Sequence, residues 1–196
     1  MTLLRLLWEL YDRAFVFAAR LRRVGRGPEA LLVVRIVRHA GGPLTLPDGT
    51  RILPGTPVGE LHYLSSHLRA LHAHHRPEAA VGMAVLHSTL TSLEQLALFV
   101  VTQPAYRDLP AFYADTLFHR GAERLGFQIV ELPPSCRKSF LRHYLRWLLA
   151  VYHPQGFRRL RRHADALEPK TLWMSRRELL DRYLSPKVRP LKRRVP

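Results

Sequence analysis

Thr116, His119 and Arg120 are the residues whose types and spacing most directly suggest chemistry. They lie in a stretch, 114–127, whose periodicity predicts a helix over about 111–125, stopped by Gly126 before an apolar run at 127–132. On a helix, Thr116 is one turn from both His119 and Arg120, so all three share a face. Arginine offers a planar fork of donors, and histidine can exchange a proton near neutral pH. The trio therefore suits an anionic or hydroxyl-rich ligand. His62, in Gly59-Glu60-Leu61-His62, is the fourth ligand-binding candidate, and Glu60, two residues away on the same strand face, is its expected partner. The same side chains also fit an ordinary solvent-facing helix.

A second group follows Tyr152-His153-Pro154. His153, Arg158, Arg159 and Arg162 form a basic turn able to contact phosphates, and they are the anion-binding candidates. Nucleic-acid modules add exposed aromatics or a reading helix, and neither is evident.

Other chemistry is disfavoured. His62, His67, His72, His74 and His75 are close in sequence but lack the His-Glu-x-x-His offset of a zinc site, so no metal is expected. There is no Gly-x-Ser-x-Gly elbow, Walker loop or dinucleotide fingerprint, so no cofactor is expected either. Arg22–Gly27 matches an Arg-x-x-Gly-x-Gly acyl-CoA loop only superficially, because it follows a predicted helix and precedes a strand.

Several elements must position these groups. Residues 2–23 read as an amphipathic helix with a narrow polar stripe of Arg5, Glu9, Asp12, Arg13, Arg20 and Arg23. Leu31–Val37 predicts a buried strand. Leu44–Leu53 predicts a hairpin around Pro47-Asp48-Gly49, and Val58–Leu64 a further strand. A short His-rich helix is expected over 65–75. Residues 78–103 should be helical, with a break near Ser88–Ser92 because Thr91-Ser92-Leu93-Glu94 has capping-box spacing. A helix is expected at 137–152, a basic helical segment at 156–163 and a short strand at Leu172-Trp173-Met174. Ser175-Arg176-Arg177-Glu178 is a second capping box, opening a helix to about Tyr183. Residues 185–196, with three Pro and five basic residues, read as a mobile tail.

The length of 196 residues and 47% hydrophobic content suit one domain, placed at 1–184. No uncharged apolar run reaches transmembrane length, and no secretory signal is recognised. A single cysteine, Cys136, excludes an internal disulfide and fits a cytoplasmic setting, with peripheral contact at a membrane as an extension of it. Net charge is +16, and residues 154–196 alone carry +9, so an anionic partner is expected at that end.

The order Val33–Val37, Leu44–Thr50 and Gly59–His62 resembles the opening of the YkoP-like proteins of bacteria. Thr116–Phe127, Tyr152-His153-Pro154 and Leu172–Ser175 are similar to later blocks of that family. The resemblance implies a small α/β domain, found alone or attached to polysaccharide deacetylases of the cell envelope, and carries over no functional residues. The deacetylase itself is absent: the chain has no Asp-Asp pair, and His87-Ser88-Thr89 lacks a second histidine four or five residues on.

The resulting expectation is an α+β fold, with a small, partly antiparallel sheet and an N-terminal hairpin region covered by several helices. Its leading role is a non-catalytic accessory or binding domain linked to envelope polysaccharide. The alternatives are a transferase-type enzyme using His119 and Arg120, and a basic membrane-surface or nucleic-acid-associated protein. The oligomeric state is left open.

Overall fold

In a computed structural model of the chain, the described residues are 21–25, 31–64, 78–117, 119–131, 139–146 and 168–184. They build the expected α+β fold. Its strands are β1 (Arg22–Arg23), β2 (Leu32–Arg38), β3 (Leu44–Thr45), β4 (Arg51–Ile52), β5 (Pro57–Tyr63), β6 (Ala111–Thr116), β7 (Gln128–Glu131) and β8 (Lys170–Ser175). Its helices are α1 (Glu78–Thr102), α2 (residues 139–146) and α3 (Arg176–Tyr183).

Six strands form a mixed sheet in the order β1-β2-β5-β6-β8-β7, and β3 pairs with β4 in a separate two-stranded sheet. Only β5 and β6 are parallel. The helical crossover α1 joins them, because parallel neighbours need a connection long enough to return along the sheet. One sheet face carries Leu32, Val34, Leu61, Phe112, Leu172 and Met174 and packs beneath Leu93, Leu96, Ala97 and Val100 of α1 and Leu179 of α3. The β3–β4 hairpin brings Leu46 and Ile52 against Val58, Ala111 and Trp173 on the opposite face. By length and composition, Gly82–Thr102 could cross a membrane, but its buried side chains are core contacts with the sheet.

The hairpin forms where expected, with Gly49 at φ 85°. The carboxylate of Asp48 accepts from the backbone N–H and hydroxyl of Thr50, which closes the turn. Ser175 caps α3, its hydroxyl accepting the Glu178 N–H at 2.9 Å.

Three expectations are corrected. Residues 111–116 are a strand, not the start of a helix, and only Ala122–Leu125 coil, as a short 3₁₀ turn between left-handed Gly121 and Gly126. A central strand buried on both faces loses its polar alternation, so its apolar run imitates a helix. Second, α1 is continuous through Ser88–Ser92. Its hydroxyls serve other bonds: Thr89 donates to the Val85 carbonyl, and Ser92 accepts the Leu31 N–H at 2.9 Å, which ties α1 to β2. Third, Arg22–Arg23 pair with Val34 and Val33 as an edge strand, not as the end of a helix. The remainder of the 2–23 helix, the 65–75 and 156–163 helices and the 185–196 tail lie outside the described residues. Of the helix expected at 137–152, residues 139–146 are described and helical.

Candidate functional site

The sheet register assembles a polar tier on the face shared with the hairpin. Arg35 stands opposite Glu60, and Glu60 opposite Tyr113. The Arg35 Nε donates to Glu60 Oε2 at 2.5 Å, and His62 Nε2 lies 3.5 Å from Glu60 Oε1. The partner expected for His62 is thus in place. One register step along, the Thr171 hydroxyl donates to Asp115 Oδ1 at 2.6 Å. Tyr113 stacks on Trp173 with ring centroids 4.8 Å apart, and His39 meets the edge of the indole at 5.4 Å. Burial alone would raise the pKa of Glu60. The hydrogen bonds from His62 and Arg35, reinforced by their charges, prevail and hold it at about 2. This carboxylate is therefore a fixed anion near neutral pH. Arg35, His62, Tyr113 and Asp115 each hold further interactions besides these.

Glycine makes this tier possible from below. Gly59 precedes Glu60 and faces the opposite side, where a Cβ would lie 2.2 Å from Cδ1 of the fully buried Phe112 ring. Only a residue without Cβ lets β6 close against β5 at that point.

The four ligand candidates do not meet at one point. His62 belongs to the tier. Thr116 is buried and, by strand alternation with Phe112 and Ala114, lies on the α1 side of the sheet. His119 and Arg120 follow it in the turn leading to Ala122–Leu125, where the His119 carbonyl accepts the Ala122 N–H at 3.1 Å. Thr116 pairs in register with Lys170, which in turn faces and ion-pairs with Glu131. Partial burial, followed by the charges of Lys170 and Arg120, lowers the pKa of His119 and favours its neutral form. Arg120 is exposed and forms no ion pair among the described residues. The turn between β6 and β7 is thus a place where two cations act on an imidazole and one guanidinium remains available. The second group of candidates, His153, Arg158, Arg159 and Arg162, lies outside the described residues.

Two contributors escaped sequence reading. Arg35 sits within an apolar strand run, and only its even spacing from Val33 and Val37 marks it as sharing their face. Lys170 lies 50 positions from Arg120, and its place is set by the β6–β8 register. No group of three or more His, Cys, Asp or Glu suited to a metal occurs among the described residues.

Comparison with known proteins gives a consistent picture. The chain is 21% identical over 126 residues to the uncharacterized protein YkoP of Bacillus subtilis (strain 168), spanning 63% of this chain and 68% of that protein. No solved structure matches it. The YkoP domain matches residues 1–183, from ahead of β1 to the last turn of α3. That span takes in the whole mixed sheet, the polar tier and the β6–β7 turn, and the chain belongs to the YkoP domain family.

Proposed function

We propose that this chain is a non-catalytic accessory domain that binds an anionic or hydroxyl-rich ligand of envelope polysaccharide metabolism, with His119 and Arg120 as the direct contacts. The observation that carries this reading is the electrostatic state of the β6–β7 turn. His119 is held toward neutrality by burial, Lys170 and Arg120, and the exposed guanidinium of Arg120 has no ion pair among the described residues. An acid group on the ligand would accept from Arg120 and reverse the field on His119. A binding role is supported by two further points. A catalytic histidine is normally oriented by a hydrogen-bonded partner, and the His119 ring has none among the described residues. Glu60, at about 2, is too weak a base to work efficiently at neutral pH.

The test is an NMR titration of the His119 ring against glucuronate, glucose 6-phosphate and inorganic phosphate. Binding should raise the pKa of His119, because an anion that prefers the protonated ring must stabilise it reciprocally. Arg120→Gln should weaken binding on the order of tenfold, the loss of a charge-assisted hydrogen bond. An unmoved His119 titration at saturating anion would overturn the assignment. Turnover of an activated sugar donor that disappears in His119→Ala would replace it with the transferase reading.

A further inference from the structure

We infer that the outer face of α1 is a docking surface for a second copy of this chain, helix against antiparallel helix about a two-fold axis between Leu90 and Thr91. It does not depend on the ligand assigned to the β6–β7 turn. The basis is the composition of α1. Its inner face is core, where Leu93, Leu96, Ala97 and Val100 pack with the sheet and α3. A helix covered on one side normally carries charged residues on the other. Glu78–Thr102 contains no Lys or Arg, in a chain that has 31 of them. Instead Met83 is 66% exposed, Leu98 54% and Leu86 40%. These are three of the seven large hydrophobic side chains exposed among the described residues, gathered on one helix rather than scattered singly.

Helical geometry aligns them. At about 100° per residue, Met83, His87, Glu94 and Leu98 all point within about 30° of one direction. All four are exposed. Leu90 and Thr91, partly buried, lie about 50° to either side of that direction at the midpoint of the stripe.

The stripe is symmetric in chemistry as well as in position. Reading along it gives apolar, ionisable, ionisable, apolar, and the inner and outer pairs are each centred between Leu90 and Thr91. A two-fold axis at that point therefore sets His87 against Glu94 of the partner copy, and Met83 against Leu98 of the partner copy, each contact occurring twice. At a rise of about 1.5 Å per residue, the polar contacts fall about 5 Å from the axis and the apolar ones about 11 Å from it. A crossing angle of about 20°, common between antiparallel helices, keeps both sets within reach. Within one chain, His87 and Glu94 are separated by about 10 Å along the helix. Neither forms an ion pair among the described residues. The partner copy supplies a ring N–H for each Glu94 carboxylate, so the polar centre of the stripe is satisfied by the same contact that covers its apolar ends.

A lipid surface suits this face less well. Helices that lie in a membrane interface flank their apolar face with Lys and Arg. Here α1 has neither, and Glu94 interrupts the stripe near its centre. A net charge of +16 opposes self-association in general, but two copies of α1 can approach without opposing Lys or Arg from either helix.

The experiment uses full-length protein in analytical ultracentrifugation, after thermal melts confirm that each variant folds. One helix pair is a small interface, so wild type should pass from monomer to dimer as its concentration rises to about 100 µM. His87→Glu sets two carboxylates against each other, and Glu94→Lys sets a lysine against the imidazole. Each variant alone should dimerise at least about tenfold more weakly, since like charges oppose at two points of the interface. Mixed one to one, the two variants should recover association, because each mixed dimer then has His87 against Glu94 on one side of the axis and Glu against Lys on the other. Wild type that stays monomeric overturns the inference, as do single variants that dimerise like wild type. Single variants that weaken but do not recover on mixing overturn the antiparallel pairing. Monomeric wild type that floats with phosphatidylcholine vesicles, and no longer does so in Leu98→Glu, replaces the second copy with a lipid surface.

Discussion

Glu60 and His119 occupy opposite electrostatic situations in one small domain. Glu60 is shielded in the sheet between Arg35 and His62, and those two partners hold it charged. His119 stands in a turn where burial and two cations disfavour charge. The first region is internally compensated at Glu60, which is set against Arg35 and His62. The second retains an exposed guanidinium and a titratable ring that an incoming anion can improve. Perturbed titration therefore separates an internally compensated network from the turn proposed here as a ligand site only when the source of the perturbation is known.

The largest way to break this contrast is at Gly59. In Gly59→Ala the new Cβ would collide with the fully buried Phe112 ring. The expected cost is about 2–3 kcal/mol, and for a domain of this size each kcal/mol lowers Tm by about 2–4 °C. The β5–β6 contact would open and the tier above it lose its register. A thermal melt within 1 °C of wild type, taking ~1 °C as under half a kcal/mol, would show that Phe112 can move and that the tier is less constrained than its packing implies.

Glu60→Gln sharpens the same comparison. It keeps the shape but leaves Arg35 and His62 facing a neutral amide, at a cost of about 1–3 kcal/mol. Its pH dependence is equally diagnostic. The folded-state pKa of Glu60, about 2, lies below its ordinary 4.5. Its contribution is therefore full above about pH 4.5 and is lost as pH falls toward 2. Urea midpoints measured from pH 6 to 3 should fall less steeply in the variant than in wild type. Parallel slopes would mean that the tier does not hold the carboxylate charged.

Ser175→Ala tests the scaffold of the turn. It removes the N-cap of α3, the helix that pins Arg124 and Leu125, at a cost of about 1 kcal/mol. Hydrogen exchange at Gly126 should quicken along with α3, while the N–H groups of β5 stay protected. Quickening across both regions would show that they unfold as one unit and that the contrast is not local.

Much of this scaffold was legible in the chain. Ser175 announced its cap through Glu178, Asp48-Gly49 announced the hairpin, and the apolar runs of β2 and β5 read as strands. These signals are local, because a cap or a turn is decided by residues three or four apart. β6 could not be read the same way. Its neighbours β5 and β8 come from distant sequence, and its two faces are covered by α1 on one side and the β3–β4 hairpin on the other, which erases the alternation that marks a strand. The supposed shared face of Thr116, His119 and Arg120 disappeared with the helix. The Arg35–Glu60–His62 network was half visible: Glu60 and His62 are two apart on one strand, but Arg35 meets them only through cross-strand register. Lys170, which acts on His119 from another strand, left no mark in the sequence around position 119.

The smallest effect is the most discriminating. The pKa of His119 is lowered from its ordinary 6.5, so on acidification the unfolded chain takes up its proton more readily than the folded one. Stability that is intact above about pH 6.5 is then lost as pH falls through the lowered folded value. The ring is half-buried and still partly screened by solvent, so the loss should be small. His119→Gln should abolish it, leaving a flatter stability curve between pH 7.5 and 5. Both Glu60 and His119 thus make the domain weaker in acid, for opposite reasons: one loses a favourable charge, the other acquires an unfavourable one. Phosphate separates the two cases. An anion seated on Arg120 would favour protonated His119 and shrink its acid loss, but would leave the shielded Glu60 response unchanged. Equal effects of phosphate on wild type and His119→Gln would dissolve the distinction between the two regions and leave general screening as the cause.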